Sequence, residues 1–309
     1  IVADLGLLDL LKKNKLKTAL HISTQANCTS RQTAATWNGL GASRVNLARE
    51  LSLQQIAEIQ KSLYRSVEIE VFIHGAVCFS YSGRCAISDY MTGYRANRGQ
   101  CKHPCRYQYY LVEEKRPGKY MPVFEDNRGL YLFNSKDLAL FEYIPQLTDL
   151  GIASFKIEGR MKSLHYIATV VSFYRRLMDG RPFTKKQALD WLGRVPNRGY
   201  TAGFMKGDFG PDDYASDQSV SQGTSRFVAN VTESGPDGCT IRVRNTICAG
   251  DTLEVLTPDG SPSTITLPAP LHTAEGRPLD SAKNEQRLAL PFPLPPYTIL
   301  RKVLPDKTD

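Results

Sequence analysis

Apolar and polar positions in the first 75 residues repeat one theme: a short β-branched or aliphatic run, a polar junction, then an amphipathic stretch. Residues 1–4 lead into 7–13, 19–23 into 31–38, and 44–48 into 53–63, while 67–74 reads as a fourth strand. Ser52 before Leu53, with Gln55 three residues on, makes a capping-box pattern that marks a helix start. Strand and helix alternating at about 25 residues per unit predict a parallel sheet with helices packed outside it. The alternation breaks at Cys78. Residues 76–150 are irregular and rich in Gly, Arg, Tyr and Cys, with one helix expected from about Ser135-Lys136-Asp137. It resumes with 151–157 as a fifth strand and a helix over 164–178 that ends at Gly180.

Five βα units with one large insertion predict an α/β fold, a partial (β/α)8 TIM-type barrel over residues 1–180. Three further units, about 80 residues, are then expected upstream of Ile1, because a closed barrel needs eight. An open doubly wound sheet uses the same alternation, and five strands alone do not show closure. Residues 181–225 are rich in Gly, Asp and Ser and read as a linker arm with little core. From Arg226 to the end, six short alternating runs separated by turns such as Gly235-Pro236-Asp237-Gly238 predict a small all-β barrel domain over 226–309.

Composition narrows the class. Hydrophobic residues at 41% and charged residues at 23% fit a folded protein rather than a disordered chain, collagen or a coiled coil. No apolar run approaches the roughly 20 residues that a membrane helix needs. Seven cysteines, with no leader pattern at the front, predict a reducing compartment, the cytoplasm. The net charge of +8 lies entirely upstream of residue 226, since 226–309 carries nine Lys and Arg against ten Asp and Glu. Residues 94–119 concentrate it. Arg95, Arg98, Lys102 and Arg106 are interleaved there with Tyr94, Tyr107, Tyr109 and Tyr110, the mixture that grips phosphates and stacks bases. A solvated basic loop would show the same composition.

Two constellations carry chemistry. Cys78, Cys85, Cys101 and Cys105 lie in one irregular segment, with six, fifteen and three residues between them. Four thiolates suit an iron–sulfur cluster or a tetrahedral zinc, and neighbouring Arg84, Lys102 and Arg106 would stabilise them. Unliganded thiols are the plainer reading. Cys28, Cys239 and Cys248 are scattered and read as small semi-buried residues. The second constellation lies where parallel strands end, the place where α/β sheets gather reacting groups. It comprises Ser23, Gln25 and Asn27, then Arg49 and Glu50, then Glu70 and His74, and finally Lys156, Glu158 and Arg160. Arg49 with Glu50, or Lys156 with Glu158, could equally pair as structural salt bridges. His74 is a candidate general base, with Glu50 and Glu158 as carboxylate partners. Neither an HExxH nor a GxSxG motif occurs.

The stretch from Glu70 to Ser88, EVFIHGAVCFSYSGRCAIS, resembles the signature of the U32 peptidase family, the collagenase-like proteins. His21-Ile22-Ser23-Thr24-Gln25-Ala26-Asn27, Asn97-Arg98-Gly99-Gln100-Cys101, Asn134-Ser135-Lys136-Asp137-Leu138 and Lys156-Ile157-Glu158-Gly159-Arg160 are similar to further family blocks. The resemblance covers 1 to about 205, and the region 226–256 resembles the family's C-terminal β-barrel. It implies more than the residues show. Despite the peptidase label, the family includes proteins that form 5-hydroxyuridine at the tRNA wobble position in a prephenate-dependent manner, and others that hydroxylate ribosomal RNA. It implies a 4Fe-4S cluster on Cys78, Cys85, Cys101 and Cys105, with zinc as the alternative. It implies tRNA as a partner, gripped by Arg95, Arg98, Lys102 and Arg106. An electron-donor protein is a further possible partner. Ser23, Gln25, Asn27, Arg49, Lys156 and Arg160 are the expected substrate contacts, the cations among them holding a dicarboxylate such as prephenate. A literal collagenase-like hydrolase is the competing expectation.

Overall fold

The Ser52 amide donates to Gln55 Oε1 at 2.9 Å while Ser52 Oγ accepts from the Gln55 amide at 3.3 Å, so a helix begins where the capping pattern places it. The computed structural model describes residues 1–14, 17–76, 87–94, 100–102, 104–106, 111–112, 120–121, 124–126, 129–131, 136–159, 162–207, 213 and 223–305. The chain divides into two compact units, Ile1–Glu158 with Arg198–Ser221, and Gly159–Asn197 with Gln222–Asp309. No helix among the described residues is long and apolar enough to cross a membrane.

In the first unit, helices α1 (Leu5–Lys13), α2 (Arg31–Gly39) and α3 (Leu53–Leu63) alternate with strands β1 (His21–Ile22), β2 (Arg44–Asn46) and β3 (Glu68–Ala76). Helix α4 (Ile87–Thr92) follows, then two small hairpins, β4 (Leu111–Val112) with β5 (Tyr120–Met121) and β6 (Phe124–Asp126) with β7 (Gly129–Tyr131). Strand β8 (Asp137–Ala139), helix α5 (Ile144–Asp149) and strand β9 (Ser154–Ile157) come next. A bridge from Val2 to Ile22, then β1, β2, β3 and β9 run parallel and in chain order. Buried Ile22, Val45, Ile69, Val71 and Ile73 make its strands apolar runs, as a covered parallel sheet requires. Parallel strands that neighbour one another in chain order agree with the alternating pattern. Closure into a barrel is not seen among the described strands.

Two features depart from expectation. Residues 137–139 form a strand and not the start of a helix; β8 pairs antiparallel with His74–Ala76 of β3, and α5 begins at Ile144. Asp137, Leu138 and Ala139 are all buried, so tertiary pairing overrides the helix signal at Ser135-Lys136-Asp137. The stretch 181–225, read as an arm with little core, is divided. Strand β10 (Tyr200–Thr201) pairs parallel with β8 in the first unit. In the second unit, α6 (Leu164–Met178) and α7 (Lys185–Leu192) bury Val170, Phe173, Ala188 and Leu192. Thr184 and Gln187 form a second reciprocal cap at the start of α7.

The rest of the second unit is all-β. Strands β11 (Ser225–Gly235), β12 (Gly238–Val243), β13 (Ile247–Cys248), β14 (Thr252–Leu256), β15 (Pro262–Thr266), β16 (Leu271–Thr273), β17 (Pro278–Leu279), β18 (Ser281–Ala282), β19 (Arg287–Leu290) and β20 (Ile299–Val303) pair antiparallel. Eight of them form one sheet in the order β15-β14-β20-β11-β12-β19-β16-β17. Its two end strands supply Ile265 and Leu279 to the same core as Val231, Ile241 and Leu300, so the sheet wraps a single apolar centre. Gly238 after the Pro236-Asp237 turn has no room for a side chain, since a Cβ there would lie 2.3 Å from the Leu290 carbonyl oxygen.

A buried polar network joins α6 and α7 to these strands. Glu254 accepts from Arg301 Nε at 2.9 Å and from Arg194 at 2.6 Å, while Arg301 also donates to Thr169 Oγ1 at 3.1 Å. Trp191 Nε1 donates to the Thr169 carbonyl at 3.0 Å. His165 lies 3.5 Å from Ser225 Oγ and stacks on Phe227. Burial, reinforced by the Arg301 charge, pushes the His165 imidazole from 6.5 down to about 4. The unfolded chain therefore binds a proton that the folded chain refuses between pH 6.5 and 4. Stability is fully present above that window and falls on acidification through it, by up to about 1.4 kcal/mol per pH unit. In thermal melts, His165→Gln is expected to flatten this pH dependence; an unchanged slope would refute the assignment.

Candidate functional site

Strand β3 carries the site because it has partners on every side. Its register sets Asn46 and Ser154 both opposite Glu70, and Lys156 opposite Phe72. Four groups consequently converge on one buried carboxylate. Glu70 accepts from Lys156 Nζ at 2.8 Å, Ser154 Oγ at 2.7 Å and Asn46 Nδ2 at 3.0 Å, with Arg44 3.7 Å away. Burial alone would raise its pKa; the hydrogen bonds from Lys156 and Ser154 and the charges of Lys156 and Arg44 outweigh it and hold the carboxyl below its ordinary value.

Two residues further along, Phe72 has two cations near its ring. The Arg49 guanidinium lies 3.9 Å from its ring centre and the Lys156 ammonium 5.4 Å. Arg49 also binds Glu158 Oε2 at 3.1 Å. Carboxylate, cation, aromatic ring, cation and carboxylate thus follow one another from Glu70 to Glu158.

The strand then changes geometry. The register against β9 slips between Phe72 and His74, so that Ile73 is an extra residue, and its carbonyl accepts instead from the Leu140 amide at 2.9 Å. His74 is buried at the turning point, its carbonyl accepting from the Glu158 amide at 2.8 Å and its ring 5.5 Å from that of Tyr200. Gly75 follows with φ +125°, and a Cβ there would sit 2.4 Å from Glu158 Cβ. Only glycine satisfies both demands.

The structure thus gathers Arg49, Glu70, His74, Lys156 and Glu158 of the expected set. Arg49 pairs with Glu158, and Lys156 with Glu70, rather than with the neighbours proposed from sequence. Glu50 stands beside Arg49, with Oε2 buried and accepting no hydrogen bond among the described residues. Ser23 caps a short 3-10 turn by accepting from the Gln25 amide, Gln25 is exposed, and Asn27 takes the left-handed conformation at φ +50°. Cys101 and Cys105 are half-buried around a turn at Pro104–Arg106. The Lys102 amide donates to buried Ser88 Oγ at 3.1 Å, and the Lys102 ammonium lies 4.5 Å from the Tyr94 ring centre. Cys78, Cys85, Arg95, Arg98 and Arg160 lie outside the described residues, as does the side chain of Arg106. Cys28 and Cys239 are buried, with burial pushing the Cys28 thiol up to about 11, whereas Cys248 is exposed. Asn46, Phe72, Ser154 and Tyr200 escaped the sequence reading. For the first three the missing signal was register, which no local pattern contains.

This geometry falls within a region of recognisable kinship. The profile of Peptidase family U32 matches residues 1–213, and that of the Peptidase family U32 C-terminal domain matches 223–301. The chain belongs to the U32 peptidase family. It is similar to tRNA hydroxylation protein P of Escherichia coli K12, at 35% identity over 307 residues, covering 84% of this chain and 67% of that protein. It is also similar to tRNA hydroxylation protein P1 of Bacillus subtilis 168, at 32% identity, covering 99% and 72%. A third relative, the 23S rRNA 5-hydroxycytidine synthase of Escherichia coli K12, is 37% identical over 179 residues, covering 58% of this chain and 26% of that enzyme. In this U32 chain the strand-end cluster, Cys101 and Cys105 lie within the region that the first profile matches.

Two substitutions test the geometry. Gly75→Ala is expected to destabilise the first unit by about 2–4 kcal/mol, through clash with Glu158 and a strained φ. Glu70→Gln leaves the Lys156 ammonium without a carboxylate and is expected to cost about 2 kcal/mol, between the roughly 0–1 of an exposed pair and the roughly 3–5 of a buried one. Denaturant melts measure both, and wild-type stability in either variant would contradict the corresponding contact.

Proposed function

We propose that this chain is an RNA hydroxylation protein acting on tRNA, forming 5-hydroxyuridine at the wobble position. The observation that carries the reading is the extent of the similarity to proteins named for tRNA hydroxylation, 99% of this chain in the Bacillus subtilis case. The clustering of ionisable groups at the carboxyl end of β3 supports it. Replacing a ring C–H by C–OH is a two-electron oxidation with oxygen insertion, so it needs an oxygen source that is itself reduced by two electrons; prephenate is the proposed co-substrate. Cys78, Cys85, Cys101 and Cys105 are the proposed ligands of a 4Fe-4S cluster. The half-buried pair Cys101 and Cys105 beside Lys102 suits an anionic cluster. When bound, such a cluster would supply electron transfer or activate the donor.

The remaining roles fall to the chain's own side chains. Arg49 and Lys156, with Arg160, would take the carboxylates of a dicarboxylate by charge-assisted bonds, exchanging Glu158 and Glu70 for the ligand. His74, Glu50 and Glu158 are the proposed proton carriers at the strand ends. Lys102 and Tyr94 begin the basic, aromatic segment proposed to grip RNA together with Arg95, Arg98 and Arg106. A hydrolytic reading finds less to build on. The buried contact between Ser225 and His165 is no activated nucleophile, since Ser225 Oγ donates to the Arg194 carbonyl at 2.9 Å.

Nucleoside mass spectrometry of tRNA from a strain lacking this gene and any paralogue tests the reading. Loss of 5-hydroxyuridine is expected, with restoration by the wild-type gene and at least tenfold less product with Lys156→Met or Cys101→Ser. Unchanged tRNA would overturn it, and 5-hydroxycytidine missing from ribosomal RNA instead would redirect the substrate.

A further inference from the structure

The segment 198–207 was read as part of a linker, yet it is anchored more firmly than a linker needs. Arg198 and Asp137, both almost fully buried, bond at 2.6 Å, and the Asp137 amide donates to the Gly199 carbonyl at 2.9 Å. Thr201 Oγ1 bonds Asp213, whose carbonyl accepts from the Lys136 amide at 3.0 Å. Thr201 Oγ1 also accepts from the Gly203 amide at 2.9 Å. A buried ion pair is a costly anchor whose best-attested use is to fix geometry rather than to add stability. What it fixes here is Tyr200, the residue between the two anchors. Its half-buried ring lies against His74 with centroids 5.5 Å apart and planes inclined at 43°.

We propose that Tyr200 is a positioning residue of the site: it holds the His74 imidazole in one orientation at the bulged end of β3, and the Arg198–Asp137 pair exists to deliver it there. This role rests on the RNA hydroxylation reading. His74 needs such a partner because the bulge at Ile73 removes the regular pleat that would otherwise fix its side-chain direction. An aromatic face restricts the imidazole plane through packing without occupying a ring nitrogen. The requirement is for the ring and not for the hydroxyl, so Tyr200→Phe retains the function and Tyr200→Leu loses it.

The chain has five histidines, so histidine-selective 13C labelling gives a resolvable spectrum in which His74 is assigned by its absence in His74→Gln. The Tyr200 ring current is expected to displace the His74 ring signals. Tyr200→Leu should release that displacement and lower kcat for tRNA hydroxylation about tenfold with little change in KM, while Tyr200→Phe keeps both near wild type. Thermal melts of each variant, with Tyr200→Met as a second replacement should the leucine variant fold poorly, separate this from general loss of structure. His74 signals unmoved in Tyr200→Leu, or wild-type kcat once they have moved, would overturn the proposal. A wild-type protein that hydroxylates no RNA would remove the catalytic role together with the reading it rests on, and the spectra would still decide the contact independently.

Discussion

The first unit depends on one strand having three neighbours. β3 pairs with β2 along one side and with β9 along the other, then turns its last residues, His74–Ala76, toward β8. The register against β9 breaks where the pairing with β8 begins. The extra residue at Ile73 provides the break, and the glycine at 75 allows Glu158 to close over the gap. Everything chemically distinctive follows from that switch. It ends the apolar part of the strand, it places His74 where two sheets of contacts meet, and it directs the chain toward the cysteine-rich segment.

Charge is then arranged by the sheet rather than by local sequence. Burying Glu70 costs free energy unless its oxygens are occupied, and the register supplies Lys156, Ser154 and Asn46 from two neighbouring strands. The bond to Glu70 also fixes the Asn46 amide, because only its nitrogen can donate to a carboxylate. Its oxygen is left buried without a donor among the described residues.

Much of this fold was legible in the sequence where the signal was local. The capping box at Ser52 and Gln55, the strands at 44–46 and 68–76, and the six runs of the β-rich unit all appear within a residue or a few of their expected limits. Short strands such as β13 and β17 carry too few residues for a period to show. The strand at 137–139 and the return of 198–201 were hidden because their pairing is with distant residues and their burial cannot be read from polarity. Asp137 and Arg198 look like surface residues in sequence and are among the most buried charges in the fold. The helix at Lys185–Leu192 did announce itself through Thr184 and Gln187, but the surrounding Gly, Asp and Ser obscured it. Of the candidate site, residue types at strand ends were readable, whereas which cation meets which carboxylate required the register.

That pairing changes what the basic strand ends imply. Lone cations at a sheet's rim would attract any anion, and in a chain of net charge +8 they would hold bulk phosphate and RNA backbone indiscriminately. Here Arg49 and Lys156 each already hold a carboxylate, and both lie near one phenyl ring. An anion gains little from displacing one carboxylate by another. The arrangement therefore screens both cations from passing anions. Selectivity of this kind arises from pairing that must be broken, a repulsive element as much as an attractive one.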